Sequence, residues 1–186
     1  MVEVRTAGSL VARDVLLRVS DPVDRYAIHA ALDARWGRRA DVQYLWCLGQ
    51  VSDGPAVRVR LPPAHPDGLA GVAVFAPEAG TLLRFRLCAN VTRKDGRSGR
   101  RISWPQAEVA PRLGWLDHRA EEHGFRVEQV QANVARALIR KGKGFWIDQT
   151  IFTGTLTVDD AAGFAAALAG GGGQRPAFGF GLLEIF

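Results

Sequence analysis

Apolar and polar positions alternate most regularly in the second half of the chain, where strand-like and helix-like patterns follow one another. The predicted elements are, in order, a strand over 81–92, a charged loop over 93–103, a helix over 105–123, strands over 127–139 and 145–158, an alanine-rich helix over 159–169, and a C-terminal strand. Leu113, Leu116 and Ala120 recur at helical spacing, and Gly124 stands just after the predicted helix. The order strand, helix, strand, strand, helix, strand is that of a ferredoxin-like domain.

The first half of the chain repeats this order less clearly. Residues 13–20 have a strand pattern. Asp21 followed by Pro22 is typical of a helix start, because the carboxylate can cap the first turn and proline is tolerated there. The helix is predicted to run to about Trp36 and to end at Gly37.

The rest of this half is degraded. Residues 42–51 and 56–61 predict a hairpin, whereas prolines and glycines interrupt residues 62–80, where a second helix and a fourth strand belong. Residues 1–4 are a candidate edge strand, and residues 5–12 have no predicted place in the fold.

The length and composition allow two small domains that share an interface. The chain has 186 residues, and 47% of them are hydrophobic, which is enough for a buried core. We therefore predict an α+β protein of two tandem ferredoxin-like (RAMP/RRM-like) βαββαβ domains, over residues 1–80 and 81–186, with the first domain degraded.

The charge balance points to a polyanionic partner. The chain carries 24 Lys and Arg residues against 19 Asp and Glu residues, a formal net charge of +5. The basic residues concentrate in three places, from which we take as RNA-binding candidates Arg35, Arg38, Arg39, Arg93, Lys94, Arg140, Lys141 and Lys143. Arg97, Arg100, Arg101 and Arg136 lie in the same clusters. Each cluster taken alone is also compatible with an ordinary solvated surface.

The two cysteines and the hydropathy pattern restrict the location of the protein. Cys47 and Cys88 lie in separate apolar runs without a CxxC motif, so no disulfide or zinc framework is predicted. No window reaches the roughly 18 uninterrupted apolar residues that a membrane span requires, and the N-terminus has no long apolar stretch. We expect a cytoplasmic protein that does not contact a membrane.

A glycine run near the C-terminus is the most distinctive local feature. Residues 170–173 are four successive glycines, among them Gly171, Gly172 and Gly173, and Arg175 follows two residues later. Backbone N–H groups without neighbouring Cβ atoms can form a concave site for an anion, and the arginine adds a fixed charge. The alternative interpretation is a flexible tether between a helix and the last strand.

Two further glycines follow in the predicted final strand. Gly179 and Gly181 alternate with Phe178 and Phe180, which predicts a strand with one bare face and one aromatic face. The segment matches neither a Walker loop nor a dinucleotide-binding fingerprint. A backbone cradle for a nucleic-acid strand fits these residues better.

Among the four histidines, His29 is the candidate for chemistry. It stands three residues after Tyr26 on the predicted first helix, so the imidazole and the phenol share one helix face, at the rim where the helix meets the other domain. The alternative is a packed pair whose polar tips are satisfied. We assign no role to His65, His118 and His123.

The combination of an anion cradle, basic loops and no metal-ligand cluster suggests a metal-free reaction on RNA, with no cofactor. Such cleavage needs a base for the 2′-OH proton and an acid for the departing 5′ oxygen. A histidine with an ordinary pKa of about 6.5 can serve as either. We therefore expect the His29 imidazole and the C-terminal glycine segment to converge on one sugar–phosphate link.

Four segments, taken together, resemble a known family. They are Tyr26-Ala-Ile-His29-Ala-Ala-Leu32, Phe85-Arg-Leu-Cys-Ala89-Asn90, Thr153-Gly154-Thr-Leu156-Thr-Val158, and the terminal Gly-Gly-Gly-x5-Gly179-Phe-Gly181-Leu-Leu. In order and spacing they are similar to the CRISPR repeat-RNA endoribonucleases of type I-E systems, the CasE (Cse3) subunits of Cascade. The resemblance covers about residues 13–186.

The resemblance implies a fold, a reaction and partners. It implies a tandem ferredoxin-like RAMP protein that binds the stem-loop of CRISPR repeat RNA and cuts at the 3′ base of the stem. Cleavage is expected to need no metal, to leave a 2′,3′-cyclic phosphate and a 5′-OH, and to be followed by product retention within Cascade. The family's catalytic histidine falls on His29 and its assisting tyrosine on Tyr26.

Some residues depart from the family pattern, and other functions stay open. The family commonly has a basic residue where this chain has Pro176, and Arg175 stands one place earlier.

One alternative function is a non-catalytic RAMP-type RNA-binding subunit, with His29 merely packed. Another is a ferredoxin-like enzyme or sensor for a small molecule, whose binding would depend little on salt.

Overall fold

The computed structural model describes residues 8–19, 24–51 and 54–186. Its first sheet consists of β1 (Leu10–Arg18), β2 (Leu45–Val51), β3 (Gly54–Leu61) and β4 (Val72–Phe75), with helices α1 (Arg25–Trp36) and α2 (Arg39–Val42). The strand order is β2-β3-β1-β4, and every neighbouring pair is antiparallel. This is the strand order of a ferredoxin-like sheet.

The second sheet repeats that order. It consists of β5 (Leu82–Ala89), β8 (Phe125–Ile139), β9 (Phe145–Val158) and β10 (Leu183–Ile185), ordered β10-β5-β9-β8, with helices α3 (Ala110–Glu122) and α4 (Ala161–Gly170). A two-stranded ribbon, β6 (Thr92–Lys94) and β7 (Arg101–Ser103), is inserted between β5 and α3. The predicted tandem ferredoxin-like fold is confirmed. The proposed division near residue 80 falls in the connection between β4 and β5.

Helix α1 contains the candidate catalytic residues Tyr26 and His29, and the local sequence determines where the helix begins and ends. The Asp24 carboxylate accepts a 2.9 Å hydrogen bond from the Ala27 N–H and caps the first turn. Gly37, with φ of 90°, ends the helix, as predicted. The predicted start at Asp21 and Pro22 lies outside the described residues, as does the candidate strand at 1–4.

Each sheet covers one core. Ile28 and Leu32 of α1 pack on Tyr44, Trp46, Val57, Val59 and Leu61 of the first sheet and its approach. The larger core of the second domain includes Leu116, Phe152, Leu156, Phe164 and Leu168, all with essentially no exposed surface. Burial of such side chains contributes about 1.5–3 kcal/mol each. Ala12 and Val74 of the first sheet belong to the same cluster, so the larger core extends across the domain interface.

Buried ion pairs join the two domains. The Arg60 guanidinium is hydrogen-bonded to both carboxylate oxygens of Asp14 at 2.8 and 2.9 Å. It also donates to the carbonyl oxygens of Leu168 (3.1 Å) and Leu183 (2.8 Å) in the second domain. Glu184 of β10 pairs with both Arg58 (3.2 Å) and Arg86 (2.5 Å). The sheets are therefore fixed relative to one another.

The second half of the first domain is reduced, as predicted. A 3₁₀ turn at Pro66–Gly68 stands where a helix would belong, although the fourth strand, β4, is present and pairs with β1. The first strand of the predicted hairpin starts late, because α2 ends at Gln43 in a left-handed conformation. Within the described ranges, no helix has the length and apolar character to cross a membrane.

Two predictions between β5 and α3 are wrong. The segment 93–103 is not simply a loop, because β6 and β7 pair within it. Residues 105–109 are not helical, since α3 begins only at Ala110. The buried Arg112 side chain donates to the carbonyl oxygens of Trp104 (3.0 Å) and Glu108 (3.1 Å), which holds this stretch as a loop against the helix.

Candidate active site

Tyr26 and His29 lie on the face of α1 that meets the second domain. Tyr26 packs on a cluster that includes Ala137, Ile139, Ile147 and Phe178. His29 is about one-fifth exposed, and its ring meets the Phe178 ring edge to face, with 5.9 Å between centroids. The predicted position of this pair at the domain interface is confirmed.

Asp33, one helical turn after His29, was not among the predicted site residues. Its Oδ2 lies 3.6 Å from His29 Nε2. Its Oδ1 accepts hydrogen bonds from the Tyr44 hydroxyl (2.5 Å) and from the backbone N–H of Arg39 (3.1 Å). Burial and the bond to Asp33 raise the pKa of Tyr44 well above its ordinary value, so this hydroxyl remains a donor. The carboxylate is thus held in place beside the imidazole.

The other imidazole nitrogen faces the interior. His29 Nδ1 is buried and has no hydrogen-bond partner among the described residues. A buried nitrogen of this kind is costly unless something pairs with it. This atom and the partial exposure of the ring distinguish His29 from a histidine whose polar tips are satisfied.

A chain of rings connects His29 to Arg175. The Phe178 ring also meets the Phe145 ring edge to face at 6.0 Å. The guanidinium carbon of Arg175 lies 6.0 Å from the centroid of the Phe145 ring. Arg175 itself is exposed and has a left-handed backbone with φ of 62°. The histidine near the start of the chain and the segment near its end therefore do converge.

Arg25 attaches α1 directly to that segment. Its side chain is 5% exposed and donates to the carbonyl oxygens of Phe178 (2.8 Å) and Gly179 (3.4 Å), and to the Gln149 side chain (3.0 Å). Its guanidinium carbon lies 4.7 Å from the centroid of the Phe180 ring. Burial lowers the pKa of Arg25, against the opposing influence of the Cys88 thiol. No sequence pattern marked this residue.

The glycine run is only partly available to a ligand. The Gly171 N–H donates to the Ala167 carbonyl oxygen (2.8 Å) and the Gly172 N–H to the Gly181 carbonyl oxygen (2.9 Å). The predicted array of four free N–H groups is therefore wrong, because the run closes helix α4 and binds its own C-terminal segment. Gly173 is exposed and lies between this closed part and Arg175.

The predicted final strand with a bare glycine face is also wrong. Residues 176–178 form a 3₁₀ turn, and only Leu183–Ile185 pair with β5. Gly179 and Gly181 are buried with φ of 78° and 90°, a conformation that L side chains rarely adopt. A Cβ on Gly179 would lie 2.7 Å from the Trp46 ring, so glycine is needed here for internal packing.

The basic residues that were predicted to bind RNA lie in three different parts of the structure. The turn between β8 and β9 carries Arg140, Lys141 and Lys143, all exposed, and Lys141 Nζ lies 5.5 Å from the centroid of the Tyr26 ring. Arg93 and Lys94 are exposed on the β6–β7 ribbon.

The third basic group lies towards the other end of α1. Arg35 is paired with Asp67 at 3.0 Å, and Arg38 is exposed just before α2. Arg39 donates to the Tyr44 carbonyl oxygen at 3.4 Å. The structure thus brings the β8–β9 turn directly to the Tyr26 and His29 face, while two of these three arginines have partners within the protein.

A family model and a curated relative both connect this chain to CRISPR-associated proteins. The family model described as CRISPR associated protein matches residues 18–186. The CRISPR-associated endoribonuclease Cse3 of Thermus thermophilus is 32% identical in an alignment of 124 positions, and this alignment covers 59% of this chain and 58% of that relative. The aligned region thus spans less than two thirds of this curated relative.

Solved structures match over nearly the whole chain. A CRISPR endoribonuclease Cse3 bound to a 19-nucleotide RNA has a TM-score of 0.75 and 26% identity, covering 94% of this chain and 98% of that chain. The Thermus thermophilus Cse3 bound to an RNA representing a pre-cleavage complex has a TM-score of 0.73 and 26% identity, covering 94% and 97%. The architecture of two ferredoxin-like domains is shared with these structures.

Proposed function

Because this chain belongs to the family of CRISPR-associated proteins, we propose that it is a metal-independent endoribonuclease acting on the stem-loop of CRISPR repeat RNA. The proposed cut lies at the 3′ base of the stem and yields mature crRNA. The observation that carries the proposal is the contact of His29 with Phe178, which joins the candidate histidine to the C-terminal segment. The similarity to Cse3 proteins bound to RNA supports the substrate class.

The proposed chemistry uses the RNA's own 2′-OH as nucleophile. One group removes its proton, the oxygen attacks the adjacent phosphorus, and a second group protonates the 5′ oxygen that leaves. The products are a 2′,3′-cyclic phosphate and a 5′-OH. His29 takes one of these roles, and Tyr26, one helical turn before it, takes the other or positions the 2′-OH. Asp33, at 3.6 Å from Nε2, fixes the orientation of the imidazole.

The proposed RNA contacts follow the exposed cations and free backbone around this face. An A-form stem hides its base edges in a narrow major groove, so recognition relies on phosphates and shape. The β8–β9 turn, which places Lys141 over Tyr26, would hold stem phosphates. Arg175 and Gly173 would lie against the strand to be cut. Arg38 and Arg39 extend the basic surface along α1, and Arg35 would first have to leave Asp67.

The proposed partners are the repeat RNA and the other subunits of Cascade, with the cleaved RNA retained. A cytoplasmic location is part of the same proposal. It is supported by the state of Cys47 and Cys88, which are free thiols buried in the two sheets.

The proposal is tested with a labelled repeat hairpin that carries unpaired flanks, incubated with purified protein in EDTA. We expect cleavage at the 3′ base of the stem and a cyclic phosphate on the product, identified by its mass. A 2′-deoxy substitution at the scissile nucleotide should abolish cleavage and leave binding unchanged.

Matched histidine variants assign the role of His29. We expect His29→Ala to bind the hairpin with wild-type affinity and to lose cleavage by at least 100-fold, the lower range for removing a general acid or base. His118→Ala is the control, because His118 is two-thirds exposed on α3. Wild-type cleavage by His29→Ala would remove the proposed role. Tight binding by the wild type without any cleavage would favour the non-catalytic RNA-binding subunit.

A further inference from the structure

The β6–β7 ribbon is a strongly basic projection. Within residues 92–103 its cations are Arg93, Lys94, Arg97, Arg100 and Arg101, against the one acidic residue Asp95. All five cationic residues are exposed. The Asp95 carboxylate accepts hydrogen bonds from the Ser98 N–H (2.9 Å) and hydroxyl (2.5 Å), which lowers its pKa. The acid is therefore committed to closing the turn, and the surface of the ribbon is left cationic.

The ribbon is attached to the C-terminal segment at the residue before Arg175. The Gln174 side-chain amide lies 3.4 Å from the Thr92 hydroxyl. In the orientation that places the amide oxygen at Arg101, this oxygen accepts from Arg101 Nη2 at 3.0 Å, and the amide nitrogen faces the Thr92 hydroxyl. Thr92 begins β6 and Arg101 begins β7, so Gln174 holds both strands. The ribbon is thus positioned next to the residue that reaches Phe145.

Two basic hairpins are therefore connected to the His29 face, one directly and one through the C-terminal segment. The β8–β9 turn reaches it through Lys141 over the Tyr26 ring. The ribbon is connected to this face indirectly, because it contacts Gln174 and the next residue, Arg175, lies over Phe145. An RNA cut at the base of a stem likewise has two parts at the scissile link, a duplex and an unpaired strand.

We propose that the β6–β7 ribbon binds the phosphates of the unpaired strand on the 3′ side of the scissile link, while the β8–β9 turn binds the stem. This inference rests on the proposed function and adds the part of the substrate that the ribbon recognises. Arginine suits the task, because its planar guanidinium can bind two phosphate oxygens at once. The fixed connection through Gln174 aligns the bound flank with Arg175 and the strand to be cut.

The test compares two RNAs that cannot be cleaved. One is a repeat hairpin with an unpaired 3′ flank and a 2′-deoxy nucleotide at the scissile link. The other ends at the base of the stem and therefore has no scissile link. The ribbon variant is Lys94→Gln, Arg97→Gln and Arg100→Gln combined, which keeps Arg101 and its contact with Gln174. Lys141→Gln with Lys143→Gln is the comparison variant.

We expect the ribbon variant to bind the flanked hairpin several-fold more weakly and the trimmed hairpin as well as the wild type does. For the flanked RNA, the slope of log affinity against log salt should become shallower by about 2, at roughly 0.7 for each single-strand phosphate that the variant no longer neutralises. The comparison variant should weaken binding of both RNAs.

Two outcomes would overturn the inference. An equal loss of affinity for both RNAs would assign the ribbon to the stem. Unchanged affinity for both would remove the ribbon from the RNA-binding surface and leave its charge to another partner, such as an acidic protein. Because these measurements use uncleavable RNA, they are independent of whether His29 performs the cleavage, which is read only with the cleavable hairpin.

Discussion

The Arg25 guanidinium donates a 2.8 Å hydrogen bond to the carbonyl oxygen of Phe178, which lies 153 positions later in the chain. Arg25 directly precedes Tyr26, and the Phe178 ring faces His29. One buried side chain therefore sets how the first turn of α1 meets the C-terminal segment. A charge in this position is costly to desolvate unless its hydrogen bonds are made, and here Phe178 and Gln149 supply them.

Arg25→Met should separate RNA binding from cleavage. Methionine fills a similar volume but leaves the Phe178 carbonyl and the Gln149 amide without their donor, so the segment can shift relative to His29. We expect cleavage to fall at least tenfold, RNA affinity to change less than twofold, and unfolding free energy to fall by about 1–3 kcal/mol.

The matched control for this variant is Leu116→Ala in the core of the second domain, which should cost about 2–5 kcal/mol without touching the site. Cleavage and binding are measured at a temperature where both variants are folded. If both variants lose cleavage in proportion to their stability, the effect of Arg25 is structural only. Partial rescue by Arg25→Lys would show that a donor to Phe178 is what matters.

Gly179→Ala tests the packing of the C-terminal segment. The residue has φ of +78°, and a new Cβ would lie 2.7 Å from the Trp46 ring and 2.8 Å from the Arg25 guanidinium. We expect a loss of unfolding free energy clearly larger than the roughly 1–2 kcal/mol due to the left-handed backbone alone. The loss is measured from denaturant midpoints at constant slope.

Gly80→Ala provides the control for backbone strain. Gly80 has a similar φ of +84°, but a Cβ there has open space around it. The difference between the two variants isolates the steric contact with Trp46 and Arg25. Equal losses would mean that the segment moves freely enough to accept the methyl group.

The cysteines give a prediction for alkaline pH. Burial raises the pKa of Cys47 to about 12 from 9.0 and also raises that of Cys88. Since the folded state holds the Cys47 proton more tightly than the unfolded state, its contribution to stability is complete below about pH 9. That contribution is lost as the pH rises towards 12.

The comparison of wild type with Cys47→Ala measures this contribution. Between pH 8 and pH 10, in the presence of a reductant, the wild type should lose about 1 kcal/mol more unfolding free energy than the variant. In the folded protein at pH 8, neither thiol should react with a thiol reagent until the protein unfolds. Rapid reaction at pH 8 would show that these parts of the sheets open readily.

Local patterns allowed some elements to be predicted, because neighbouring residues determine them. The β8–β9 hairpin was predicted nearly to its ends, since long runs of branched residues flank a glycine-containing turn. The end of α1 followed from Gly37 alone. His29 followed by Asp33 is also a local pattern, an i,i+4 pair, and this spacing could have identified Asp33 in advance.

The C-terminal segment could not be predicted in this way. The alternation of Phe178, Gly179 and Phe180 is the pattern of a strand, yet Arg25 captures the Phe178 carbonyl and the glycines turn the backbone away from any ladder. These contacts join residues more than 150 positions apart. A buried arginine cannot be distinguished from an exposed one by sequence, since its burial depends on partners supplied by the tertiary fold.

Arg60 and Asp14 provide a test of the link between the two domains. Arg60 is 3% exposed and Asp14 is 5% exposed, and the arginine also donates to the carbonyl oxygens of Leu168 and Leu183 in the second domain. Arg60→Met leaves the buried Asp14 carboxylate with the longer 3.4 Å contact to Arg58. Breaking a buried ion pair typically costs about 3–5 kcal/mol. Unfolding by denaturant, followed by fluorescence and circular dichroism together, measures the loss.

The double variant Arg60→Met with Asp14→Leu decides which interaction carries this energy. Arg58, which pairs with Asp14 at 3.4 Å, keeps Glu184 at 3.2 Å as a partner in the double variant. If most of the loss comes from the Asp14 carboxylate, which has lost its closer partner, the double variant should recover more than half of it. If it is as unstable as Arg60→Met alone, the hydrogen bonds to Leu168 and Leu183 are what hold the domains together, and the two spectroscopic transitions should then separate in denaturant concentration.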